Sequence, residues 1–148
     1  MIRQIKTEDS AVFLQMAREF YHSPAVLHTV DEKNFEKTLE AALSGSPYVR
    51  VYIIEHEGET AGYCQLSLSW SNEAGGLVVW VEELYIRPAF QGKGLGGACL
   101  SFVRDTYADA PRLRLEISPD NQGAKRLYQR HGYGVLDYVQ MICDREKK

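Results

Sequence analysis

Four glycines fall within six residues at Gly92, Gly94, Gly96 and Gly97. Glycine adopts backbone conformations that turn successive N–H groups toward one point, and a helix starting just afterwards adds its positive end. That combination suits a phosphate or pyrophosphate. The loop reads Arg87-Pro88-Ala89-Phe90-Gln91-Gly92-Lys93-Gly94-Leu95-Gly96-Gly97 and joins an apolar stretch to a helical one. Its place argues against a turn that serves packing alone. A nucleotide P-loop requires Gly-Lys followed by Ser or Thr, whereas Gly92-Lys93 is followed by Gly94. Gly92, Gly94 and Gly97 do match G-x-G-x-x-G, with Glu116 about 20 residues downstream, as a dinucleotide site asks. Two things oppose that reading: residues 87–91 separate the strand from its first glycine, and too little chain follows Glu116 for a doubly wound sheet. Just upstream, Glu82 and Glu83 are the only carboxylates in the apolar run 77–86. A carboxylate held in apolar surroundings is a proton acceptor. Consecutive strand residues face opposite ways, so one of the pair is expected on each side of the sheet.

These residues need elements to position them. Periodicity predicts a short strand over 1–6, then a helix over 7–21 with Thr7 as N-cap and Val12, Phe13, Met16, Ala17 and Phe20 on one face. A second helix starts at Asp31, with Phe35, Leu39, Ala42 and Leu43 inward, and stops at Ser44-Gly45-Ser46-Pro47. The period then becomes two. Strands over 48–55 and 61–70 form an antiparallel hairpin about Glu57-Gly58, and 77–86 is a third, central strand. A helix over 94–107, a strand over 112–118, a helix over 121–131 closed by Gly132 and a strand over 137–143 complete the chain. This order predicts an α+β fold, in α/β/α layers, with helices on both faces and one parallel crossover through the Gly94 helix. Without repeats or a linker, residues 1–148 are expected to be one domain.

Composition narrows the function classes. Hydrophobic residues make up 45% of the chain and charged residues 25%, a globular mixture. A net charge of −3 with no Lys/Arg cluster argues against nucleic acid and anionic lipid as partners. No apolar run approaches the roughly 18 residues that span a bilayer. Arg3, Lys6, Glu8 and Asp9 leave the N-terminus without a signal-peptide core. Cys64, Cys99 and Cys143 are odd in number, far apart and without metal-ligand spacing, so no metal and a reducing, cytoplasmic location are expected.

Gln91-Gly92-Lys93-Gly94-Leu95-Gly96 resembles the (Arg/Gln)-x-x-Gly-x-(Gly/Ala) signature of the GNAT superfamily of N-acetyltransferases, and Glu82-Glu83-Leu84-Tyr85-Ile86-Arg87-Pro88 resembles that family's fourth strand. Asn121-Gln122-Gly123-Ala124-Lys125-Arg126-Leu127-Tyr128 followed by Gly132-Tyr133 resembles its Asn-x-x-Ala-x-x-Leu-Tyr-x-x-x-Gly-Phe stretch. The likeness covers most of the chain, and the first two helices match only in outline.

The resemblance implies a mixed, mostly antiparallel sheet whose central parallel strands splay apart to admit acetyl-CoA as cosubstrate. Backbone of Leu84 and Ile86 would pair with the pantetheine arm. Amides of Gly92, Lys93, Gly94, Gly96 and Gly97, in the signature headed by Gln91, would hold the pyrophosphate, with Lys93 either a point charge or simply solvated. Asn121 would cap its helix beside the pantetheine, and the Leu84 N–H would polarise the thioester carbonyl. Tyr128 takes the position of the family's general acid, which protonates the leaving thiolate. Lysine-type amines have a pKa of about 10 and arrive protonated, so a base is needed. Glu82 matches the glutamate proposed as base, through water, in similar polyamine acetyltransferases. Glu83 is the alternative; a non-catalytic reading has both carboxylates facing solvent or paired with arginines such as Arg112 and Arg114. Attack would be direct, in a ternary complex, with no cysteine nucleophile. The acceptor, a primary amine of a small molecule or peptide, would lie among Phe20, Tyr21, His22, His28, Trp70, Trp80 and Tyr138, near Glu19, Asp31 and Glu32. A non-catalytic acetyl-CoA sensor is the rival function, and exposed edge strands admit a homodimer.

Overall fold

Apolar residues at period two build one five-stranded sheet in the computed structural model, which describes residues 1–145. The strands are β1 (Ile2–Gln4), β2 (Val49–His56), β3 (Glu59–Ser71), β4 (Gly76–Ile86) and β5 (Arg112–Leu115), in that spatial order. Neighbours are antiparallel except β4 and β5, which run parallel. The helices are α1 (Ser10–Tyr21), α2 (Lys33–Leu43), α3 (Leu95–Thr106) and α4 (Gln122–Arg130).

Two apolar clusters show which helix covers which face. Phe13 and Met16 of α1, with Leu39 and Ala42 of α2, pack on Val51, Ile53 and Tyr63. Cys99 and Val103 of α3 pack on Cys64, Leu66, Val79 and Val81 from the other side. Alternation along β3 sends Tyr63 to the first cluster and Cys64 to the second. The sheet is therefore the middle of three layers, as an α+β chain with one parallel crossover requires.

Local chemistry fixes several boundaries. Thr7 does not cap α1. Arg3 grips both oxygens of Asp9 at 2.8 and 2.9 Å while the Lys6 N–H donates to Asp9 at 2.8 Å. Residues Thr7–Asp9 accordingly form a 3-10 turn and α1 begins at Ser10. Glu57 and Gly58, at φ 51° and 81°, make the tight turn between β2 and β3.

Two expected strands are corrected. β5 ends at Leu115 rather than 118, because only Val78 to Val81 of β4 pair with it. No strand forms over 137–143. Its apolar residues are exposed, Val139 and Met141 each at 92%. The Tyr138 hydroxyl donates to Glu73 at 2.7 Å, at the β3–β4 turn, and its N–H donates to the Leu136 carbonyl at 2.9 Å. So tethered, the segment stands off from β5 across a cavity of about 640 Å³ and never joins the ladder a strand needs.

Candidate active site

The site begins with a fault in β4. Gln65 pairs with Glu83 but Leu66 pairs with Val81, so Glu82 is an extra residue, a β-bulge. The bulge undoes the alternation expected for the two carboxylates. Tyr63 and Ser67 lie on one face of β3; the Tyr63 hydroxyl donates to Glu83 Oε1 and Ser67 Oγ to Glu82 Oε1, both at 2.7 Å. Glu82 and Glu83 therefore share the face that carries α1 and α2. Neither is paired with Arg112 or Arg114. Arg112 binds Glu73 at 3.0 Å and Arg114 stacks over Trp80 at 4.0 Å.

Glu83 is the more deeply held of the two. Its Oε2 accepts the hydroxyl of Tyr21, the last residue of α1, at 2.6 Å. Burial pushes its pKa up, the two tyrosine donors pull against that, and the charge of Glu82 adds to the rise. Burial, aided by the carboxylate, also drives the Tyr21 and Tyr63 phenols well above their ordinary value. Beside this cluster, the Tyr85 hydroxyl donates to Glu19 at 2.8 Å, and Arg87 meets Glu19 at 3.5 Å. Burial and that bond push the Tyr85 phenol up to about 12.

Past the bulge, β4 loses its neighbour on one side. The Arg87 N–H points at β3, donating to the Ala61 carbonyl at 2.8 Å. By alternation the N–H and C=O groups of Leu84 and Ile86 point the other way, where β5 has already ended. A groove of about 410 Å³ opens there, walled by Leu84, Ile86, Gln91 and Asn121, and across from them by Phe20 and the Ser23-Pro24-Ala25 turn after α1. Gln91 Nε2 donates to the Ile86 carbonyl at 3.1 Å, tying the glycine loop to this strand end.

Directly after Gln91 in the chain, Gly92 and Gly94 take φ of 78° and 77°, a left-handed conformation that only glycine adopts freely. Gly94 is the N-cap of α3, and the Ala98 N–H donates to its carbonyl at 3.0 Å. The amides ahead of Ala98 have no acceptor within the helix. Gly97 also serves packing: a Cβ there would lie 3.0 Å from His131 Nε2, so this glycine lets α3 press against the end of α4, whereas a Cβ on Gly96 would meet Leu127 at an ordinary 3.5 Å. Lys93 is exposed. Bare amides, a helix N-terminus and an unpaired strand edge are what a pyrophosphate with an amide-bearing arm requires.

Asn121 caps α4, its Oδ1 accepting the Ala124 N–H at 3.1 Å. Tyr128 follows about two turns on, and burial pushes its phenol up, with the Cys64 and Cys99 thiols adding to the rise. Its ring centre is 6.0 Å from that of Tyr133, whose hydroxyl is buried without a partner among the described residues. Tyr128 lines the 640 Å³ cavity beside β5 and not the 410 Å³ groove. The structure thus gathers Leu84, Ile86, Gln91 and Asn121 in one groove, with Glu82 and Glu83 on the helix-covered face and Tyr128 behind β5.

Residues 12–133 match the model of the Acetyltransferase (GNAT) family. The chain belongs to the GNAT family. It is 33% identical over 138 residues to the uncharacterised N-acetyltransferase YhfO of Bacillus subtilis, covering 89% of this chain and 88% of that protein. Spermine/spermidine N(1)-acetyltransferase of the same organism is 30% identical over 99 residues, 62% of this chain and 65% of the relative. Among solved structures, the aminoglycoside N-acetyltransferase AAC(6')-Iy with a bisubstrate analogue superposes with a TM-score of 0.79 at 16% identity, covering 98% of this chain and 97% of that one. As a GNAT protein the chain is an acetyl-CoA-dependent N-acetyltransferase. Sequence reading missed two members of its site, Tyr63 and Tyr85, on two neighbouring strands, and the one available signal was the period-two spacing of Tyr63 within an apolar strand; Glu19, expected near the acceptor, accepts the Tyr85 hydroxyl. Of the expected acceptor aromatics, Trp70 at 77% exposure and Tyr138 at 64% stand apart, whereas Phe20 and Tyr21 border the groove and Glu83.

Proposed function

We propose that this GNAT protein transfers acetyl from acetyl-CoA to a primary amine of a small molecule or peptide, by direct attack in a ternary complex, with Glu83 receiving the amine's proton. The observation that carries this reading is the bulge, which puts two carboxylates on one face immediately before the open strand edge. Acetyl-CoA supplies the activated thioester, and the chain supplies everything else. The Leu84 and Ile86 backbone orients the pantetheine arm, and the amides of Gly92, Lys93, Gly94, Gly96 and Gly97 hold the pyrophosphate without a metal. The Leu84 N–H polarises the thioester carbonyl.

An alkylammonium must lose its proton before it can attack. Glu83 accepts that proton directly or through water, and the neighbouring charge of Glu82 attracts the cation. Our reading prefers Glu83 to Glu82, the residue favoured by the family likeness, because Glu82 is exposed whereas burial pushes the Glu83 carboxyl upward, toward a working base. Tyr128, a phenol neutral at pH 7 and kept so by burial, returns a proton to the departing thiolate. Relatives that act on spermine, spermidine and an aminoglycoside make a polycationic acceptor reasonable, and the two carboxylates suit one.

Calorimetric titration with acetyl-CoA, beside NADH as control, tests the groove. Binding of acetyl-CoA alone is expected, followed by thiol release with at least one amine of a panel. Binding of NADH instead would overturn the reading.

A further inference from the structure

Glu83 is held from two sides by donors of different character. Tyr63, on β3, is 0% exposed and bonds Oε1 from within the sheet. Tyr21, half-buried at the last position of α1, bonds Oε2 from the outside. Its ring packs 5.2 Å from Phe35 of α2 and 5.2 Å from Phe20. Directly after Tyr21 the chain turns through Ser23, Pro24 and Ala25, the wall of the groove facing Leu84 and Ile86. Tyr21 thus spans the carboxylate and the cover of the groove.

We propose that Tyr21 is a positioning residue for Glu83: its hydroxyl fixes the carboxylate's outer oxygen, favours the proton-accepting form, and ties that group to the wall of the acetyl-CoA groove. The inference rests on the reading of Glu83 as the base. A hydroxyl that donates to a carboxylate stabilises the ionised state, because protonation removes the charge that strengthens the bond. Two such donors hold Glu83 against the opposing effects of burial and of Glu82. The groups that face it are Glu82 on its own strand, Tyr63 on β3 and Tyr21 on α1; Arg114 of β5 is engaged over Trp80.

The test is a carbon-13 NMR titration of the glutamate carboxyls in the acceptor-free protein, with the Glu83 signal identified by its loss in E83Q. Removing the Tyr21 hydroxyl in Y21F keeps the ring packing and is expected to raise the Glu83 midpoint by about one pH unit. An unchanged midpoint overturns the proposal. Should Y21F not fold, the reciprocal titration keeps Tyr21 intact: its phenol midpoint is expected to fall in E83Q relative to wild type, and no change there overturns the proposal equally. Turnover is a separate arm, read with spermidine as the first amine tried. E83Q that acetylates as fast as wild type removes Glu83 as base, while the Y21F midpoint still reports on the bond.

Discussion

The Tyr63 hydroxyl reaches diagonally across the β3–β4 ladder to Glu83 Oε1 at 2.7 Å, from a side chain with no solvent exposure. The fully buried donor anchors a carboxylate beside the one point where β4 departs from regular pairing. It ties the bulge, which opens the sheet, to the group that the proposed chemistry uses.

From that bond follows the first prediction. E83Q is expected to lower kcat by about 10²- to 10⁴-fold, the usual worth of a positioned base. E82Q should cost less, and neither should alter acetyl-CoA affinity; thiol-release kinetics and calorimetry check both. Because Glu83 must be ionised to act and its pKa is raised, the acidic limb of kcat/KM should lie above the ordinary glutamate range. Stability has the opposite sign. A raised folded-state pKa contributes stability below the unfolded value that is lost as pH rises through the folded one. E83Q should therefore flatten the wild type's decline in stability across that window, measured by urea melts.

Tyr128→Phe should lower kcat by about 10²-fold with the acetyl-CoA Kd unchanged. Since burial raises the Tyr128 phenol, no alkaline limb from this residue is expected below the ordinary tyrosine value. A full pH–rate profile decides it.

Gly94→Ala is expected to weaken acetyl-CoA binding and to cost about 1 kcal/mol of stability, because φ of 77° strains any Cβ-bearing residue. The cost is conformational, for no atom lies within 4 Å of the added carbon. Gly62→Ala is a different case. Its Cβ would sit 2.0 Å from the Tyr85 carbonyl oxygen, so the β3–β4 ladder must move beside the site. A loss of about 3 kcal/mol, at the upper end for overpacking, is expected in denaturant melts.

Asp9→Asn should destabilise the protein by about 2 kcal/mol at neutral pH, the range for a lost charge-assisted bond. Arg3 and the Lys6 N–H hold the Asp9 carboxyl below its usual pKa. The stabilisation is present above the unfolded aspartate value and lost as pH falls through the folded one, so wild type and variant should converge in acid.

Much of the layout was legible in sequence because it is local. Period two and period 3.6 gave α1 to α4 and β1 to β4 within a few residues, and glycines at a strand–helix junction gave the loop. The strand over 137–143 was misread because its pattern is sound but a strand exists only through a partner, and Tyr138 is held at Glu73 instead. The carboxylate pair was found while its geometry was not, since a bulge is a mismatch between two strands and leaves no mark in either one alone.

By itself, then, the sequence determined the order of elements through α4, a glycine loop at a strand–helix junction, and the presence of two carboxylates in an apolar strand. These depend on residue type and near-neighbour spacing. Only the tertiary structure decided that Glu82 and Glu83 share a face, that Tyr21 and Tyr63 hold Glu83 from elements 42 positions apart in the chain, and that Tyr128 stands in a cavity apart from Leu84. Those relations arise from register and packing between distant segments, which side-chain periodicity does not encode.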